Sequence, residues 1–135
     1  MQKVYVCSQY GTRGNKETNL EFAKLFCMAV IEEGKIPICP HLFYAQVLND
    51  DVPEQRAAGM EIGLHLLEDC DVLLVCSPLS QGMIAEICKA WDWGIPVEVM
   101  DLKWLHQDRA EEEEERIRAE LRDIYGQVYH TKIYR

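Results

Sequence analysis

The chain has 135 residues, 48% hydrophobic and 27% charged, with a net charge of −9 from 14 basic and 23 acidic side chains. That length suits one domain around a single core. The acidity excludes the basic stripe by which proteins grip a nucleic-acid polymer or an anionic membrane surface, yet a helix N-terminus still binds a small phosphorylated ligand without Lys or Arg.

Val4-Tyr5-Val6-Cys7 is short, apolar and rich in β-branched and aromatic residues, and it runs into a glycine-containing loop from Ser8 to Asn15. It reads as a buried strand entering a loop. Leu20, Ala23, Phe26, Cys27 and Val30 recur at steps of three and four, a helical stripe, and Gly34 is placed as its C-cap. Ile36-Pro37-Ile38-Cys39 reads as a second strand, at an edge because proline cannot donate to a ladder. His41 to Asn49 reads as a loop, with at most one helical turn. Asp51-Val52-Pro53-Glu54 opens a helix, with Pro53 near its first position, that ends at Leu67 or Glu68.

Asp71-Val72-Leu73-Leu74-Val75-Cys76 is nearly all apolar, as a central parallel strand covered on both faces should be. The loop Ser77 to Gly82 leads to a helix with Met83, Ile87 and Trp91 on one face, ending near Gly94. Ile95 to Met100 is the fourth strand. Gln107 to Tyr125 is helical, with Glu112–Arg116 and Glu114–Arg118 as i,i+4 pairs and Glu111 to Glu115 as a solvated face. The tail from Gln127 to Arg135 is expected to add an edge strand or reach a partner subunit.

The β-α-β-α-β-α-β alternation predicts a flavodoxin- or Rossmann-like three-layer α/β/α fold. Its parallel sheet is ordered 2-1-3-4, with a possible fifth strand and a C-terminal helix. One domain is expected over 1–135, with a core over 3–100 and an acidic helix and tail over 107–135. The six cysteines make no CxxC pair and read as buried reduced thiols. The opening residues do not read as a secretory leader, so the expectation is a reducing cytoplasm. No apolar run reaches membrane-spanning length.

In such a sheet, ligands bind at the carboxyl ends of the strands beside the switch point. The loops 8–15 and 77–82 converge there, which marks Ser8, Tyr10, Arg13, Ser80 and Gly82 as candidates. A helix starting near Gly82 aims its free amides at the crevice and favours an anion. Glu86 lies four residues on, about 6 Å along the axis, roughly the width of a sugar ring. It is also a lone acid among Met83, Ile84, Ala85, Ile87 and Cys88. A carboxylate is costly to bury, so either it faces the crevice for chemistry, or it faces solvent or pairs with Lys89.

Ser80-x-Gly82-x-x-x-Glu86, following a strand of the Asp71-Val72-Leu73-Leu74-Val75 type, resembles the nucleoside 2-deoxyribosyltransferase superfamily. The serine is more similar to the 2′-deoxynucleoside 5′-phosphate N-hydrolases than to the transferases proper, which usually carry aspartate there. Val4 to Ser8 is similar to that superfamily's first strand and loop. Ile36 to Pro40, with Gly94-Ile95-Pro96-Val97, resembles allied short bacterial and phage proteins of unassigned function. The likeness covers about Lys3 to Met100.

The resemblance implies a carboxylate nucleophile and a covalent glycosyl ester. By position the nucleophile is Glu86, with Tyr5 steadying it, Ser80 contacting phosphate and Arg13 near that phosphate. The family also carries an acid on the helix before the third strand. Glu61 is the nearest match, with a spacing from Asp71 that departs from the pattern, and His65 is the other group that could protonate the leaving base. Water or a second base would then open the ester. No metal or cofactor is needed, and the partner is a small nucleoside or nucleotide. A homo-oligomer, dimer or higher, is implied because family sites often borrow a neighbour's residue.

Other residues stay open between roles. His41 touches the base or is a satisfied loop histidine. Phe43 and Tyr44 cover the base or pack down the loop. Trp91 and Trp93 read as core or interface, and Asp71 as a cap for its strand. Three functions compete: cleavage or exchange of an N-glycosidic bond, a module that binds a nucleotide without chemistry, and a structural oligomer whose pocket is vestigial.

Overall fold

Four apolar runs become four parallel strands. The structure, a computed structural model, describes residues 1–9, 16–105 and 108–133, with side chains described to 128. In chain order the elements are β1 (Lys3–Cys7), α1 (Lys16–Glu32), β2 (Ile36–Ile38), α2 (Pro40–Tyr44), α3 (Pro53–Glu68), β3 (Val72–Val75), α4 (Gln81–Asp92), β4 (Val97–Val99) and α5 (Ala110–Ile133). The sheet order is β2-β1-β3-β4, with helices on both faces, the flavodoxin-like arrangement expected from the alternation. All three pairings are parallel, and their register sets Tyr5 beside Ile38 and Leu73, and Cys7 beside Val75.

The two central strands have both faces covered. Val4 to Cys7 are all buried, as are Val72, Leu73 and Val75, and the largest enclosed side chains are Tyr5, Leu67, Leu73, Met83, Ile87, Leu102 and Ile117. Burying such side chains contributes roughly 1.5–3 kcal/mol each. Pro37 sits on the edge strand β2, where its missing N–H costs no ladder bond. Gly34 and Gly94 take φ of 77° and 73° just past α1 and α4, a left-handed turn that glycine makes without steric penalty. Asp71 binds β1 from the start of β3: its Oδ2 accepts the Lys3 N–H at 2.7 Å.

The C-terminal part departs from expectation. α5 runs to Ile133, so the segment expected to add an edge strand is helix, and no fifth strand forms among the described residues. Ile117, Leu121, Ile124 and Val128 continue the steps of four, three and four that a helix needs, and this stripe outweighs the short β-like run. Glu114 is buried, only 8% exposed, although Glu111 to Glu115 read as a solvated face. It lies one turn from both Ala110 and Ile117, the residues that dock the helix. Glu114 pairs with Arg118 at 3.9 Å, whereas Arg116 turns to Glu120 at 3.1 Å instead of Glu112. Glu120 also accepts the Leu79 N–H at 3.0 Å, tying α5 to the loop before α4.

All six cysteines are free thiols, four of them buried. Among the described residues, no helix is long and apolar enough to cross a membrane.

Candidate active site

Successive residues of a strand face opposite sides of the sheet, so Tyr5 and Cys7 share one face. That face meets α3 and α4. The sequence places α4 by its start: Ser80 is extended and accepts the Met83 N–H on its side-chain oxygen at 3.4 Å, a serine N-cap. The helix therefore begins at Gln81, one residue before the expected Gly82. Its first amides belong to those that a helix leaves without an internal acceptor, and they carry the positive end of its dipole.

One turn in, Glu86 points back into the protein. It is 9% exposed. The Tyr5 hydroxyl donates a hydrogen bond to its carboxyl, while Oε2 has no hydrogen-bond partner among the described residues. Burial pushes Glu86 up from 4.5 to about 7, and the Tyr5 bond opposes that shift. Tyr5 itself is held far above its ordinary value, first by burial and then by the Glu86 charge. Lys89, the alternative partner for Glu86, lies instead 5.7 Å from the Trp93 ring centroid.

Glu86 lines an open cleft, built from four parts of the chain. Tyr5 and Ser8 come from β1 and the residue after it; Ser80, Gly82 and Glu86 from the start of α4; His41, Tyr44 and Asp50 from α2 and the turn beyond it; Gln55, Arg56, Gly59 and Gly63 from α3. Ser8 Oγ is a second buried polar atom without a partner among the described residues. Two orphaned polar atoms in one cleft are unusual, since buried polar groups are nearly always satisfied. A ligand bearing donors would satisfy both. A Cβ added at Gly82 would meet open space, so a ligand can approach the backbone there.

Tyr5, Ser8, His41, Ser80, Gly82 and Glu86 are thus brought together. Tyr10 and Arg13 lie outside the described residues. Glu61 is not brought in: it is exposed on α3 and does not line the cleft. Gly59 and Gly63, each two residues from Glu61 and so about 160° round the helix, take the cleft face with Met60. His65 is likewise exposed and off the cleft. His41 is pushed down by burial, against an upward pull from Asp50, so it favours its neutral form. Tyr44 lines the cleft, and Phe43, 62% exposed, stands edge-on against it with centroids 4.9 Å apart. Asp50, Arg56 and Gly63 were missed from sequence. The glycines at 59 and 63, one turn apart, were the available signal of a close approach. Among the described residues, no cluster of three His, Cys, Asp or Glu is arranged to hold a metal.

Residues 2–100 match the model of DUF7768, a domain of unknown function. No curated protein matches the chain. Among solved structures, a 2-deoxyribosyltransferase from the psychrotolerant bacterium Bacillus psychrosaccharolyticus is similar in fold. Its TM-score is 0.55 at 15% sequence identity, over 72% of this chain and 70% of that one.

Proposed function

The chain belongs to the DUF7768 family, and we propose that it cleaves or exchanges the N-glycosidic bond of a (deoxy)nucleoside or nucleotide, with Glu86 as nucleophile. The observation that carries this reading is the Glu86 carboxyl: buried, held on one side by Tyr5, with Oε2 unpartnered among the described residues, in a cleft that opens at a helix N-terminus. The ligand's anionic group sits at Ser80 and Gly82, and its sugar lies along the first turn of α4. The fold likeness to a 2-deoxyribosyltransferase and the Ser80-x-Gly82-x-x-x-Glu86 spacing agree with it. The serine favours a 5′-phosphate N-hydrolase over a transferase.

In the first step a Glu86 carboxylate oxygen bonds to C1 of the sugar as the C1–N bond breaks, through an oxocarbenium-like state. The bonding pair leaves with the base nitrogen, which takes a proton. That proton comes from water in the open cleft, since Glu61 and His65 do not reach it and burial favours the neutral form of His41. Water, or the nitrogen of a second base, then attacks C1; the C1–O ester bond breaks and Glu86 returns as carboxylate.

A second reading, a module that binds a nucleotide without turnover, is favoured by one observation: α3 supplies no acid to the cleft. Incubation with deoxynucleoside 5′-monophosphates, followed by chromatography for free base, separates the two. Release of base by the wild type and its loss in Glu86→Ala support the nucleophile. Release that persists in Glu86→Ala contradicts it, and a thermal shift without release selects the binding module.

A further inference from the structure

Gly63 lies in the interior of α3 and is buried. Its backbone does not require glycine: among the described residues, those with positive φ are Gly34 and Gly94, and in a helix interior alanine is the better residue. The reason for glycine there is space. A Cβ added at Gly63 would stand 3.0 Å from the Tyr5 hydroxyl oxygen, a few tenths of an ångström inside the roughly 3.3–3.6 Å of an ordinary C···O contact. At Gly59, one turn earlier on the same helix, the added carbon would meet Leu48 Cδ1 at an ordinary 3.5 Å. The tyrosine cannot easily yield, because its ring is 1% exposed and packed in the central strand. The atom that a side chain at 63 would displace is the one that hydrogen-bonds Glu86.

We propose that Gly63 is a positioning residue of the site: its bare Cα leaves the volume in which the Tyr5 hydroxyl stands against the Glu86 carboxyl. This rests on the reading of Glu86 given above. Among the described residues, the other titratable group that feels the Glu86 charge is Cys7, whose thiol burial keeps well above its ordinary value and therefore neutral. Tyr5 is thus the group through which a change at 63 reaches Glu86.

The test needs no turnover, so its outcome is independent of whether base is released. The Glu86 carboxyl carbon is titrated by NMR in wild type, Gly63→Ala, Tyr5→Phe and the double variant, and each is melted, with Gly126→Ala on α5 as a control for helix propensity. Gly63→Ala should move the Glu86 midpoint upward, as Tyr5→Phe does, and should add no further shift in the Tyr5→Phe background. It should lower the melting temperature with the hydroxyl present and lower it less, or not at all, once the hydroxyl is gone. An unchanged Glu86 midpoint in folded Gly63→Ala, or equal effects in both backgrounds, overturns the proposal. If Gly63→Ala alone does not fold, the double variant decides: a folded double variant supports the proposal, and an unfolded one overturns it.

Discussion

The Tyr5 hydroxyl hydrogen-bonds the Glu86 carboxyl, joining the first strand to the fourth helix inside the core. The bond favours the ionised acid while burial disfavours it. Burial prevails and sets Glu86 at about 7, where a carboxylate is both present near neutrality and basic enough to attack carbon.

This balance predicts the pH profile of base release. The ionised form is the nucleophile, so kcat/KM should rise with pH through a single acidic limb near 7 and then level or fall. A limb near the ordinary carboxylate value would mean that a different group limits the reaction.

Tyr5→Phe removes the bond that lowers Glu86 and keeps the ring in the core. The acidic limb should move to higher pH, with lower kcat/KM at neutral pH and a smaller loss at alkaline pH. A loss of equal size at every pH would assign Tyr5 to packing instead.

The raised pKa of Glu86 also costs stability. Below 4.5 the carboxyl is protonated in both folded and unfolded chains. Between 4.5 and about 7 the unfolded chain loses the proton and the folded one keeps it, so stability falls as pH rises across that window. The full effect is on the order of 3 kcal/mol. Glu86→Gln should abolish this slope, so that denaturant melts of the variant and wild type diverge as pH rises, in the variant's favour. Parallel curves would show that Glu86 does not titrate in this range.

Ser80 caps α4 through the Met83 N–H. Ser80→Ala should cost about 1 kcal/mol, a fall of about 4 °C in a thermal melt. It should also raise KM for 5′-monophosphates more than for the matching nucleosides. An equal change for both would remove Ser80 from the phosphate site.

The sheet was legible because its strands are short apolar runs between turn residues, with the Asp71 to Cys76 run central and Pro37 marking the edge. Glu86 and Ser80 were legible because a lone acid stands out in an apolar helix and a serine stands out in the loop between that helix and the central strand; that Ser80 caps the helix was not. α3 was harder to read. Ala57, Ala58, Met60, Ile62, Leu64 and Leu66 are spread around its circumference, so its phase against the sheet could not be read, and Glu61 was expected where Gly63 stands. The burial of Glu114 was hidden in a run of five glutamates whose composition says solvent, while its phase with Ala110 and Ile117 says core. Asp50 and Arg56 reach the cleft through the turn after α2 and the first turns of α3, a placement that depends on tertiary packing and leaves no local pattern.

The central claim is a covalent bond from Glu86 to the sugar. A 2′-fluoro-arabino nucleotide, whose fluorine slows opening of a glycosyl ester more than its formation when the leaving base is good, should trap it. Intact mass spectrometry should show one added fluorosugar phosphate per chain, and peptide mapping should place it on Glu86. Label on another residue, or base released from the analogue with no label on the protein, would contradict the account.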